Sequence, residues 1–470
     1  MQNQNSVINT IIFLIFVSVG VATIFYQIHF DDLWFDEMNS FYVADPSLTF
    51  KETISRHNES DWHNPKLFNL ILKFFFIIVG YDPYIARYLP LIFGSISILM
   101  FGIISYQIRK DNSFLLTTFL ACVSIYIIKY SQELRPYSLL LLTSTLNIFF
   151  YIKLLNNSKR KITNSLFFVF FSVLNYSSHP FSLIILFSQI TFSIYKYFLL
   201  KKPFDILRFL YPLIFILYLI PNLNYILLQI SFSDYMLSYD VKNILDGFYF
   251  PRYFGSKIMG YFYLALLFFL IFINKKVITS GKNNYLFFLI LLIFSFLIPF
   301  IYGLIRTPVL HDRYIIFVLI PIIILISCLI SELSNKKLKF VFIFFVAVLT
   351  LSNHYIEIFK RLHTKPQFSV ALNDIKKSNI QNIVLFVEKD PDYLVGNNLV
   401  TNYVHNINII SKTNFNFYQL DDLPKELKNF WLVCYNPNLN YECKIPNNFN
   451  YNFLKTKKYF QVESSLYKLK

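Results

Sequence analysis

From Tyr285 to Ile305 the chain runs without a single charged residue, and about 20 such residues in a helix reach across the roughly 30 Å hydrocarbon core of a bilayer. Comparable apolar segments recur at residues 8–28, 88–106, 114–128, 137–155, 166–177, 180–200, 210–230, 258–273, 314–330 and 340–351. With 285–305 they make eleven candidate spans. The first is longer than a signal-peptide core and lacks a small-x-small cleavage site, so it is read as retained. One further apolar run, Leu67–Val79, is short and carries Lys73 in its middle. It is either a twelfth span or a helix lying along the interface.

Charge separates these two readings. The 470 residues carry a formal charge of +16, yet only 15% are charged and 55% are hydrophobic. That balance excludes an ordinary soluble domain and, despite the basic excess, a nucleic-acid-binding one, which exposes far more charge. If Leu67–Val79 does not cross, five basic clusters fall on the side of the N-terminus: Arg109/Lys110, Lys159-Arg160-Lys161, Lys201/Lys202/Arg208, Lys275/Lys276/Lys282 and Lys336/Lys337/Lys339. Short basic loops favour the cytoplasm. The pattern therefore predicts eleven spans, a cytoplasmic N-terminus and an extracytoplasmic C-terminus. The transmembrane part is assigned to 1–355, with a first outer loop at 29–66 and an interfacial helix at 67–81.

The outer side holds the unusual residues. The first outer loop contains Asp31, Asp32, Asp36, Glu37, Asp45, Glu52, Glu59 and Asp61, against three basic residues. After about Arg361 the apolar runs shorten to strand length at 382–388, 407–411 and 430–435, separated by helix-compatible stretches such as 392–404. This alternation predicts a small α/β domain over 356–470. Cys434 and Cys443 lie in it; on this topology they form a disulfide or remain two free thiols in an oxidising compartment. Cys122 and Cys328 sit in apolar spans as core filler.

Within this frame the sharpest local feature is Trp34-Phe35-Asp36-Glu37, just beyond the first span. Adjacent carboxylates at a low-dielectric boundary can differ in pKa, which suits one of them to accept a proton from a hydroxyl. Cations mark the outer span ends: Lys66, Arg87, Arg135, Arg252, Arg306 and Arg313. Arginine holds phosphate oxygens through paired N–H donors, and lipid phosphates sit at this depth. The turn Tyr130-Ser131-Gln132-Glu133-Leu134-Arg135-Pro136 carries both an acid and a base, which either pair with each other or face a ligand. His179 is a hydrogen-bonded helix terminus or a site residue. No His-x-x-x-His or Cys-x-x-Cys spacing marks a metal site, although Glu37, Glu133 and His179 leave a divalent metal possible. There is no Gly-rich phosphate loop and no Gly-x-Ser-x-Gly.

In order, Trp34-Phe35-Asp36-Glu37, His63-Asn64-Pro65-Lys66-Leu67-Phe68, Arg87 through Phe93-Gly94, Tyr130 to Tyr137, Asn175-Tyr176-Ser177-Ser178-His179 and Arg313-Tyr314 resemble bacterial membrane glycosyltransferases related to protein O-mannosyltransferases, of the GT-C class and similar to glycosyltransferase family 39. The resemblance covers roughly residues 8–351. It implies a GT-C type helical membrane protein in a bacterial inner membrane, with its site on the extracytoplasmic face. It further implies inverting transfer of a sugar from a polyprenyl-phosphate donor to a hydroxyl of a glycan, lipid or protein, with Asp36 as base and Glu37 beside it. Lys66, Arg87, Glu133, Arg135, His179 and Arg313 are the residues expected to bind substrate or lipid phosphate. Lys66 stands where the family pattern has the second proline of Pro-Pro-Leu.

A flippase of lipid-linked saccharides is the rival from another class. Transporters carry ionisable residues within their spans and matched broken helices, whereas these spans are nearly free of acids and show no half-to-half symmetry. A polysaccharide polymerase or ligase would share lipid-linked donors but use a pyrophosphate carrier. No nucleic-acid partner is expected; membrane lipids are.

Overall fold

The computed structural model describes the whole chain except residues 1, 62–64, 157–159, 199–205, 221, 224–252, 281–283, 306–310, 388–392, 411–413, 420–422, 425–426, 436–442 and 446–448. It is a helical bundle that carries a five-stranded sheet at one end. Helix α1 (Gln2–Phe25) leads into three helices outside the bundle, α2 (Phe35–Val43), α3 (Phe50–Ser60) and α4 (Leu67–Val79). The short α5 (Pro83–Ala86) precedes α6 (Tyr88–Arg109), α7 (Ser113–Cys122), α8 (Ile125–Ser131), α9 (Tyr137–Leu155), α10 (Lys161–Ser178), α11 (Leu183–Phe198) and α12 (Leu207–Leu219). Then follow α13 (Lys257–Ile273), α14 (Lys275–Thr279), α15 (Tyr285–Ile305), α16 (Leu319–Glu332) and α17 (Lys336–His354).

Each of the eleven expected spans is helical over most of its described residues, but among the described residues seven helices are long and apolar enough to cross a membrane alone. The bent pair α7 and α8, 53° apart, makes an eighth. The others fall short for visible reasons. Helix α10 buries Asn164, Ser165, Ser172, Asn175 and Ser178; α12 and α13 are described over only 13 and 17 residues. Buried polar side chains knit α9, α10 and α11 together: Asn147 donates to Ser172 at 2.7 Å and accepts from Gln189 at 2.6 Å. Hydrogen bonds and close contacts replace the hydrophobic effect where lipid tails are the solvent. Gly94 shows how close that packing is, because a Cβ there would sit 1.8 Å from Ser131 Oγ.

Helix α4 has 13 residues, about 20 Å at 1.5 Å per residue, too short for a hydrocarbon core. Lys73 in its middle is buried and donates to the carbonyls of Asp45 at 2.8 Å and Leu48 at 2.6 Å. It thus anchors the 29–66 segment, while Phe74, Ile77 and Ile78 are exposed on the same helix. Gly80, at φ 102°, ends the helix in a conformation that favours glycine.

The sheet has the order β2-β1-β3-β5-β4. β1 (Asn382–Val387) lies parallel between β2 (Asn416–Gln419) and β3 (Asn429–Tyr435). The antiparallel pair β4 (Tyr451–Tyr459) and β5 (Val462–Leu469), joined through Gln461 at φ 55°, completes it. Where a strand was expected at 407–411, residues 407–410 are instead the end of helix α19 (Tyr393–Ile410), which follows α18 (Phe368–Lys376), and 411 lies outside the described residues. The apolar run was right but its period was not: Leu399, Val400, Tyr403, Val404 and Ile407 recur at helical spacing and are all buried. Cys434 and Cys443 are joined as a disulfide. The sheet and its helices share one apolar core with α2 and α4, in which Met38, Phe41, Phe68 and Leu72 pack with Phe368, Leu372, Tyr403 and Trp431. This shared core fixes the 29–66 segment against the C-terminal region.

Candidate active site

Helix α2 starts at the break in hydrophobicity after Leu33, and its first turn holds Asp36 and Glu37 on different sides. The Glu37 side chain is fully buried. Its carboxylate accepts from Arg87 Nε at 3.0 Å and Nη2 at 2.9 Å, from Lys365 Nζ at 2.7 Å, and from the backbone N–H groups of Leu134 at 2.8 Å and Trp34 at 3.3 Å. Burial alone would raise its pKa, but Arg87 and Lys365 outweigh that and hold it down, to about 2. Asp36 faces the other way. Its side chain keeps 30% of its exposure, and its Oδ2 lies 3.5 Å from Arg313 Nη1.

Arg87 uses all five of its N–H donors within the protein. Besides Glu37 they reach the carbonyls of Ile28, Asp31 and Asp32, so it fixes the path of the chain between α1 and α2. Glu133 and Arg135 do not pair with each other. Arg135 donates to the Asp36 carbonyl and Ser40 Oγ, each at 3.1 Å, and pairs with Asp61 at 3.4 Å. Burial opposes its charge, and Asp61 and Asp36 more than restore it, raising its pKa. Glu133 Oε2 lies 3.5 Å from Lys365 Nζ, while its Oε1 is buried without a hydrogen-bond partner among the described residues. Arg313 lies within 6 Å of the ring centres of Trp34, Tyr137 and Tyr314, and its Nε likewise has no partner. Trp34 Nε1 and Arg135 Nε are in the same condition.

His179 is a helix terminus: its Nδ1 accepts from the Phe181 N–H at 3.3 Å, and its ring packs 4.9 Å from Tyr314. Lys66 stands at the start of α4, half-buried, with no carboxylate partner among the described residues. Arg252, Arg306, His63 and Asn64 lie outside the described residues. Among those described, no group of three or more His, Cys, Asp or Glu is placed to hold a metal ion.

Sequence reasoning missed the segment that follows α17. Arg361 and His363 reach Asp31 at 3.0 and 2.9 Å, Lys365 reaches Glu37, and Ser369 donates twice to Asp32 at 2.7 Å. Burial raises the Asp32 pKa, against these two hydrogen bonds. The signal was there: a cationic Arg361-Leu-His-Thr-Lys365 directly after the last apolar span mirrors the acidic segment after the first.

No protein-family model matches the chain, and no curated protein does. Solved structures do. ArnT from Cupriavidus metallidurans, bound to undecaprenyl phosphate, aligns with 96% of this chain and 97% of its own at a TM-score of 0.53 and 9% identity. Two structures of an Archaeoglobus fulgidus oligosaccharyltransferase, one with Zn and sulfate and the other, AglB, with an inhibitory peptide and a dolichol-phosphate, are 11% identical and superpose at a TM-score of 0.48. They align with 79% and 84% of this chain, which spans 60% and 59% of theirs. At such identities likeness speaks to fold, and the ArnT match runs through nearly the full length of both chains. The chain therefore has a helical fold of the GT-C type, with up to eight spans among the described residues long and apolar enough to cross a membrane and a small sheet near its C-terminal end.

Proposed function

We propose that the protein transfers a sugar from a polyprenyl-phosphate donor to an acceptor hydroxyl. The observation that carries this reading is the half-exposed Asp36 beside Arg313 at the edge of an otherwise buried ionic cluster. The bound undecaprenyl phosphate of the ArnT structure supports the choice of carrier.

In this mechanism Asp36 takes the proton from the acceptor hydroxyl as its oxygen attacks the anomeric carbon. The bond from that carbon to the phosphate oxygen breaks in the same displacement, with inversion, and the leaving phosphate keeps the electron pair. Arg313 and Lys66 stabilise that charge, Arg313 with a guanidinium held among aromatic rings. Glu37, Arg87 and Arg135 position Asp36: the first two fix the start of α2, and Arg135 holds the Asp36 carbonyl. Arg87 has no donor left for a lipid phosphate, and His179 caps a turn, so neither is placed in the phosphate set.

The charge pattern supports an orientation with the N-terminus cytoplasmic and the Asp36 end and residues 356–470 extracytoplasmic; a bacterial inner membrane is what the family resemblance implies. The acceptor is a hydroxyl of an envelope glycan, lipid or protein. The test is twofold. Surface glycans of a deletion strain should lack one sugar, and purified protein in vesicles should transfer it from a monophosphate-linked donor. Transfer only from a pyrophosphate-linked donor would make the protein a polymerase or ligase. Passage of the lipid-linked saccharide across the bilayer without any bond change would make it a flippase.

A further inference from the structure

The segment 361–369 is strapped across the 29–66 segment at several points. Arg361 donates to Gln132 Oε1 at 2.8 Å as well as to Asp31, and Thr364 Oγ1 donates to Asp31 at 3.1 Å. His363 stacks on Phe30 with ring centres 4.2 Å apart. Ser369 closes the far end on Asp32. Between these anchors Lys365, followed by Pro366, points its ammonium into the ionic cluster from outside the bundle.

There it meets two carboxylates in different circumstances. Glu37 has a second cation, Arg87, and two backbone donors. Glu133 has Lys365 alone within ion-pair distance among the described residues, and its side chain is 5% exposed. The ammonium also lies 5.8 Å from the centre of the Trp34 ring, and Arg313 lies at the same distance from that ring. Lys365 and Arg313 therefore both border the residue that opens α2, two positions before Asp36. Among the described residues, other charged or titratable groups facing this cluster include Asp36, Asp61, Asp312, Arg135, His179, Tyr130, Tyr137 and Tyr314.

We propose that Lys365 is a positioning residue of the Asp36 site, which keeps Glu37 and Glu133 together as anions and so makes the post-bundle strap a working part of that site. The inference rests on the proposed glycosyl transfer. A buried carboxylate deprived of its cation neutralises itself by taking up a proton. Without Lys365, Arg87 alone balances the two buried carboxylates, and the start of α2 loses one of its ties. Lysine suits the place because its ammonium spreads three donors over two carboxylates.

Full-length protein, Lys365→Met, Lys365→Arg and, as a surface control, Lys457→Met are compared in two ways. The first is thermal melting in detergent at pH 5 and pH 8 without ligand. Lys365→Met should melt below wild type, with a deficit larger at pH 8 than at pH 5, because proton uptake relieves a buried carboxylate that has lost a cation. A deficit equal at both pH values indicates packing alone and overturns the proposal. The second is turnover with an undecaprenyl-phosphate hexose. Lys365→Met should lower kcat at least tenfold with KM for the donor within threefold, Lys365→Arg should recover most of both properties, and Lys457→Met should match wild type. A Lys365→Met protein with wild-type kcat overturns it as well. If wild type transfers no sugar, the proposed function fails, while the melting pattern still decides whether Lys365 holds the two carboxylates.

Discussion

At one end of α6, Arg109 donates to Asp111 at 2.7 Å, pairs with Glu332 and donates to Tyr285, whose hydroxyl in turn donates to Glu332 at 2.8 Å. None of these side chains has a buried polar atom lacking a partner among the described residues. At the other end, about 33 Å away by helix rise, Arg87 opens a larger cluster in which Trp34 Nε1, Glu133 Oε1, Arg135 Nε and Arg313 Nε are buried with no hydrogen-bond partner among the described residues. A buried polar atom left unpaired costs about 1–3 kcal/mol. The Arg109 cluster is complete as it stands and closes the bundle. On the proposed function, the Asp36 cluster keeps polar groups available for a ligand, as a binding site does and a fastening does not.

The contrast can be broken at its strongest point first. Replacing Arg87 by Met leaves Glu37 buried with one cation and should cost about 3–5 kcal/mol, as for other broken buried pairs; detergent-stable, monodisperse protein at wild-type yield would contradict that. Next, Arg313→Ala should fold normally yet lower turnover about 10²-fold, the effect of removing one charge-stabilising donor. Arg109→Gln should do the converse, costing about 2 kcal/mol in melting experiments while leaving turnover within about twofold. If Arg109→Gln and Arg313→Ala affected turnover alike, the distinction between the two ends would fail.

A smaller effect lies in pH. Glu37 is held at about 2 in the folded protein, against an ordinary 4.5. A depressed carboxylate stabilises fully above its unfolded value, and that share is lost as pH falls through the folded value. Melting temperature should therefore change little from this group above pH 5, then fall progressively toward pH 2. Glu37→Gln should flatten that acid limb; an unchanged limb would show that other groups set it.

The fold and part of the site were legible because their signals are local. Long apolar runs mark helices whatever their neighbours, and Asp36, Glu37, Arg135 and Arg313 stand in short motifs at span ends. What was not legible depends on contacts across the chain. Lys365 and Glu37 are 328 positions apart, and nothing near either residue names the other. Arg87 reads as a free cation until its five donors are traced to four partners. Asp61 reads as one acid among eight until it is seen against Arg135. Strand and helix at 407–411 differ only in which apolar neighbours count, and that is decided by the sheet they pack on.

The central claim is that Asp36, rather than its better-connected neighbour, does the chemistry. Asp36→Asn keeps the shape and the Arg313 contact geometry but removes the base. Measured in vesicles with the lipid-linked donor, it should retain wild-type melting and donor binding while losing about 10²–10⁴-fold in transfer rate. Transfer at the wild-type rate by a normally folded Asp36→Asn protein would contradict the account.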